Sequence, residues 1–134
     1  MSVELTLLAW SALITLLLAV PYSLGLILTR GLPAMAGNRE NFAEVTGWEG
    51  RSIRAHKNMV ENIIPFAAVV LVAHAAGISN ESTVLGAQLF FVSRILHAIV
   101  YTLGVPWVRT LAYAGGLIGT IMIFLQILSG APAA

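Results

Sequence analysis

Four stretches of the chain are apolar for long enough to cross a membrane, and the polar residues fall between them or crowd into one end of them. A spanning helix needs about 20 predominantly apolar residues. Leu5–Leu28 is the first such stretch, and Pro21 is expected to kink it. It has no basic leader and no small-residue cleavage site, so it reads as a mature span rather than a secretory signal. Thr29–Gly50 is polar and forms the long connection. The second span runs from Arg51 to about Gly77 and opens on Arg51, Arg54, His56, Lys57, Asn58, Glu61 and Asn62. Ile78–Thr83 is a short loop, Val84–Leu103 the third span, Gly104–Val105 a tight turn and Pro106–Leu128 the fourth span. The small residues that follow imply no structure. With no linker or break in composition, residues 1–134 predict one all-α integral membrane domain, a bundle of four transmembrane helices.

Composition supports the membrane and narrows the chemistry. The hydrophobic fraction is 58% and the charged fraction 10%, against about 45–50% and 25% in soluble domains. The excess apolar surface therefore faces lipid. A net charge of +1 lacks the concentrated basic face of a nucleic-acid binder. Cysteine is absent, which excludes disulfides and cysteine metal sites and leaves any thiol chemistry to an incoming thiol. No metal site is assigned.

The few charges set an orientation. Arg30, Arg39, Arg51, Arg54 and Lys57 lie in or beside the first connection, and Arg109 beside the third. The second loop carries only Glu81. Lysine and arginine in short loops prefer the cytoplasm, so the first and third loops are expected inside and both termini outside. In a bacterium this would be the inner membrane, with the polar end of the bundle facing the cytoplasm.

Charge inside a spanning helix costs roughly 2.5–3.5 kcal/mol by insertion scales, so it calls for a partner or a function. Arg54, Asn58 and Glu61 follow three-and-four spacing on one face of the second span, with Arg51 and Lys57 at its edges and His56 roughly opposite. Arg94, His97 and Tyr101 repeat the spacing in the third span; Arg109 and Tyr113 are four apart in the fourth. At ~1.5 Å per residue, Glu61 and Arg94 both lie about 15 Å from the polar ends of their helices. A Glu61–Arg94 ion pair is therefore expected at the floor of a basic vestibule.

Taken singly, each residue also has an ordinary reading. Arg51, Lys57 and Arg109 could snorkel to headgroups, His97 or Tyr101 could be packed core residues, and Glu61–Arg94 could be purely structural. Trp10, Tyr22, Trp48 and Trp107 suit interfacial anchors. Gly115 and Gly119, with Ala112 and Gly116, have the spacing of close helix packing, within or between subunits. Matched Asn, Glu, His and Tyr at one depth is what snorkelling alone does not require.

RAHKNMVENIIPF over Arg54–Phe66 resembles the second-helix signature of the MAPEG superfamily, the membrane-associated proteins of eicosanoid and glutathione metabolism. SRILHAIVY over Ser93–Tyr101 and PWVRTLAY over Pro106–Tyr113 continue the resemblance to its prostaglandin E synthase and microsomal glutathione transferase branches. The resemblance implies a homotrimer binding glutathione in cytoplasm-facing clefts between subunits. By position it implies glutathione contacts from Arg30, Arg54, His56, Lys57, Asn58, Glu61, His97, Tyr101 and Tyr113, and thiolate stabilisation by Arg109. The second substrate would be a lipophilic electrophile dissolved in the membrane lipid. The chemistry fits: arginine forks suit carboxylates, and Glu61 offers an anion for an ammonium. A fixed cation lowers a thiol pKa from near 8.5 toward the reactive thiolate. The chain has no aspartate to match the one implicated in prostaglandin isomerisation. Its Tyr101-to-Arg109 separation is also one residue shorter than in that branch. The resemblance therefore points to glutathione conjugation or peroxide reduction.

Two other classes remain open: a non-catalytic scaffold of the same family, and a small four-helix exporter. Against the exporter, the middle of Leu5–Leu28 holds no charge, and Glu4 lies only at its edge.

Overall fold

The computed structural model describes residues 1–130; the small residues 131–134, expected to be unstructured, lie outside the described part. Helices α1 (Val3–Leu17) and α2 (Ala19–Arg30) form the first span, α4 (Gly47–Ala75) the second, α5 (Glu81–Leu103) the third and α6 (Pro106–Ser129) the fourth. All four are long and apolar enough to cross a membrane. A short helix, α3 (Leu32–Ala36), lies in the first connection, where the sequence pattern predicted only loop.

Local chemistry explains the boundaries. The first span breaks at Leu18, three residues before Pro21. Proline has no N–H to offer and its ring crowds the carbonyl four residues back, here that of Leu17. The second span starts at Gly47, four residues earlier than the sequence pattern suggested. At ~1.5 Å per residue, α4 is about 43 Å long, so its first turns project beyond the ~30 Å hydrocarbon layer. Asn80 caps α5 by accepting from the Ser82 and Thr83 amides at 3.0 and 3.1 Å, while the Asn80 amide donates to Thr83 Oγ1 at 2.8 Å. The α5 helix ends on Gly104 at φ 84°, a left-handed conformation that glycine adopts without steric cost. Pro106 then opens α6, where a missing N–H does no harm.

Helices α5 and α6 form the most extensive pair, and α4 packs across both. Gly86 and Gly119 lie against each other at their crossing, where a Cβ on Gly86 would fall 2.7 Å from the Gly119 carbonyl oxygen. The glycine spacing in the fourth span thus serves close packing within the protomer. Met59, Phe66, Val70, Ala87, Phe90 and Ile123 make up the core, with the Phe66 and Phe90 rings stacked at 3.7 Å. In lipid such packing, rather than escape from water, holds helices together. Most other large apolar side chains, Leu24, Ile64, Val92, Leu111 and Phe124 among them, point outward.

Candidate functional site

The end of the bundle where α4 begins and α5 stops carries an open cavity of about 250 Å³, lined by Asn58, His97, Tyr101, Arg109, Thr110 and Tyr113. Three-and-four spacing on α5 puts His97 below Tyr101, and the tight turn at Gly104 brings Arg109 and Tyr113 of α6 alongside. The Arg109 guanidinium lies 4.5 Å from the Tyr101 ring centre, within the range where a cation is attracted by an aromatic face. His97 meets Tyr101 edge-on at 5.4 Å and Tyr113 at 6.4 Å. His97 Nδ1 is buried with no hydrogen-bond partner among the described residues.

Arg94 sits behind this wall and is only 2% exposed. Gly116 makes room for it, since a Cβ there would meet Arg94 Cδ at 2.9 Å. Its Nη2 donates to Asn58 Oδ1, while Nε and Nη1 have no partner among the described residues. Tyr113 lies 5.9 Å from the same guanidinium.

The expected Glu61–Arg94 ion pair is therefore not formed. Arg94 meets the Asn58 amide instead, and Glu61 is exposed, turned away from the bundle core. The reason is azimuth. Met59 faces the core, and at ~100° per residue Glu61 is turned roughly 200° from it. Equal depth did not bring equal direction.

The other sequence candidates divide into two sets. Arg54, Lys57 and Glu61 are exposed together on one face of α4, adjoining the Asn58 edge of the cavity. His56 and Arg30 are engaged elsewhere. The Tyr22 hydroxyl, expected at the interface, lies 2.9 Å from His56 Nδ1 and ties α2 to α4. Arg30 donates to the Ala43 and Glu44 carbonyls at 2.6 and 3.1 Å and stacks on Phe42 at 4.3 Å. It holds the first connection in place. Thr110 was missed by the sequence reading; its only signal was its place between Arg109 and Tyr113.

The chain matches the MAPEG family over residues 5–129. The chain belongs to the MAPEG family. With its four apolar spans it is an integral, multi-pass membrane protein. A stretch of 53 residues is 40% identical to human microsomal glutathione S-transferase 1, covering 40% of this chain and 34% of that protein. The match thus spans about a third of the relative's length.

A second polar cluster occupies the opposite end of this MAPEG bundle. Glu4, 5% exposed, accepts from Ser79 Oγ at 3.0 Å and Thr83 Oγ1 at 2.5 Å. Asn80 Nδ2 donates to Gln126 Oε1 at 3.0 Å. These bonds join α1, the α4–α5 turn, α5 and α6, and leave a cavity of only about 20 Å³.

Proposed function

We propose that this protein is a glutathione-dependent membrane enzyme, a transferase or peroxidase acting on a lipophilic electrophile. The observation that carries this reading is an unfinished site. The cavity is smaller than the ~300–1,000 Å³ of ordinary ligand pockets and open on one side. Beside it, Lys57 and Glu61 stand exposed on a membrane helix, where uncovered charge is costly, with Arg54 exposed a turn nearer its end. A neighbouring subunit covering that face completes the wall and shelters the charges, which supports a homotrimer with glutathione between subunits.

In this reading Arg54 and Lys57 take the glutathione carboxylates, Glu61 its ammonium, and Asn58 its peptide, held in place by Arg94. The Arg109 guanidinium is a cation that lowers the thiol pKa when the sulfur lies beside it. Tyr101 and Tyr113 offer hydroxyls to the thiolate. The thiolate then attacks the electrophile, forming a carbon–sulfur bond and expelling the leaving group. The arginine and lysine bias around the first connection supports a site open to the cytoplasm, with both termini outside.

The test is thermal stabilisation of the detergent-purified protein by reduced glutathione, compared with an analogue lacking the thiol, followed by turnover of chlorodinitrobenzene. Stabilisation by both compounds with turnover by glutathione alone is expected. Neither compound binding would end the glutathione reading; binding without turnover on any electrophile or peroxide would favour the scaffold.

A further inference from the structure

A second cavity, a groove of about 270 Å³, opens on the other side of α5. Its origin is the break at Leu18. Helix α1 packs against α5, but beyond the break α2 packs on α3 and α4 and not on α5. The first span therefore leaves α5 over its last turns, and the gap is the groove. Leu18 and Pro21 form one side, and Ala98, Ile99, Thr102 and Leu103 the other. Ser52 lies between them.

The groove has a chemical direction. From Ala98 to Leu103 it runs along about 7.5 Å of helix at ~1.5 Å per residue, apolar at depth and ending where α5 ends. At that end lies Arg51. Its Nε donates to the Thr102 carbonyl at 3.0 Å, and its guanidinium carbon would be 3.4 Å from a Cβ on Gly104. This fixes the side chain at the end of α5, bonded to Thr102 and next in sequence to Ser52, two of the residues that line the groove. Arg51 is partly exposed, and a guanidinium has five N–H donors in a fork suited to phosphate.

An apolar trough along a membrane-spanning helix, with a fixed cation where that helix ends, matches a lipid in both polarity and orientation. We propose that the groove is a binding site for one glycerophospholipid per subunit, an acyl chain between the α1–α2 break and α5 and the phosphate on Arg51. The site faces away from the Asn58–Tyr113 cavity, because Ala98, Ile99 and Thr102 occupy a different side of α5 from His97 and Tyr101. It does not depend on the glutathione reading. Filled, it braces α2 against α5, on which α2 itself does not pack.

The experiment is native mass spectrometry of the full chain in mild detergent, titrated with dioleoyl phosphatidylglycerol. The wild type is expected to retain one lipid per subunit. Arg51→Gln should weaken retention about tenfold, equivalent to roughly 1.4 kcal/mol. Ile99→Trp, which fills the groove from its exposed side, should abolish retention at unchanged helicity and subunit number. Equal retention by wild type and both variants overturns the proposal. So does equally tight binding of 1-octadecanol, which has the chain without the phosphate. A changed subunit number in Ile99→Trp also overturns it, because the groove would then be an interface between copies.

Discussion

The two ends of the bundle handle buried polarity in opposite ways. Where α1 and α5 begin, Glu4, Ser79, Thr83, Asn80 and Gln126 bond to one another. The space left there is about 20 Å³, room for roughly one water, and Glu4 Oε2 is the unpartnered atom. Where α4 begins and α5 ends, Arg94 Nε and Nη1 and His97 Nδ1 are buried without partners among the described residues. Three charged side chains are exposed there beside a cavity of about 250 Å³. Unpaired polar groups cost free energy at either end. But for that one carboxylate oxygen, the first end meets its needs within the chain, and the other holds polar groups in reserve for something that arrives.

The most drastic way to break this comparison is topological, because the two ends should lie on opposite sides of the membrane. The chain has no cysteine of its own, so cysteines placed singly at Asn41 and Asn80 report cleanly. An impermeant maleimide should label Asn80→Cys from outside and Asn41→Cys only after permeabilisation. Labelling of both from one side refutes the arrangement.

Next in size is Arg109→Ala. Loss of a fixed charge at the site of developing anion typically lowers turnover about 10²–10³-fold. The bound thiol, followed by thiolate absorbance against pH, should titrate at higher pH in the variant. Arg54→Ala should instead raise the half-saturating glutathione concentration more than it changes the maximal rate. An unshifted thiol with glutathione still bound would return Arg109 to a headgroup contact.

The comparison sharpens when one polar residue is removed from each end. Arg94→Met replaces an incompletely bonded cation with an apolar chain of similar length. A buried charge without full pairing costs free energy, so the unliganded melting temperature should hold or rise while stabilisation by glutathione disappears. Glu4→Ala removes the acceptor of two hydroxyls. Hydrogen bonds to charged groups contribute about 1.5–3 kcal/mol, so it should melt lower with glutathione affinity unchanged. Parallel losses of stability in the two variants would erase the distinction.

The sequence foretold the open end far better than the closed one, for physical reasons. Span positions follow from the length of apolar runs. The meeting of His97, Tyr101, Arg109 and Tyr113 follows from helical spacing across a tight turn. What depth counting could not supply was rotation about the helix axis, so Glu61 and Arg94 were paired on level alone although they face apart. Glu4 looked like the edge of a span because its partners, Ser79 and Thr83, lie 75 and 79 residues away. Nothing local announces contacts between chain-distant residues. Arg30 and His56 were assigned by motif position, which is blind to the Ala43 and Glu44 carbonyls and to the Tyr22 hydroxyl that engage them.

The smallest effect tests whether the closed end is insulated from the open one. Gln126 on α6 accepts from Asn80, the residue whose side chain also caps α5. Gln126→Leu removes that acceptor but leaves the cap itself intact. Asn80 is half-buried, so its freed amide can turn to water or headgroup. The cost should then stay near that of one neutral hydrogen bond, about 0.5–1.5 kcal/mol. Thermal melting in detergent should show this small loss, with chlorodinitrobenzene turnover and half-saturating glutathione unchanged. The α5–α6 contact is the most extensive in the bundle, and Gly86 against Gly119 stands between Gln126 and the cavity as rigid, close-packed backbone. A change at its far end should therefore be absorbed before it reaches Tyr113. If turnover falls with the melting temperature, the two ends are mechanically coupled along α6, and the closed end belongs to the mechanism rather than to the frame.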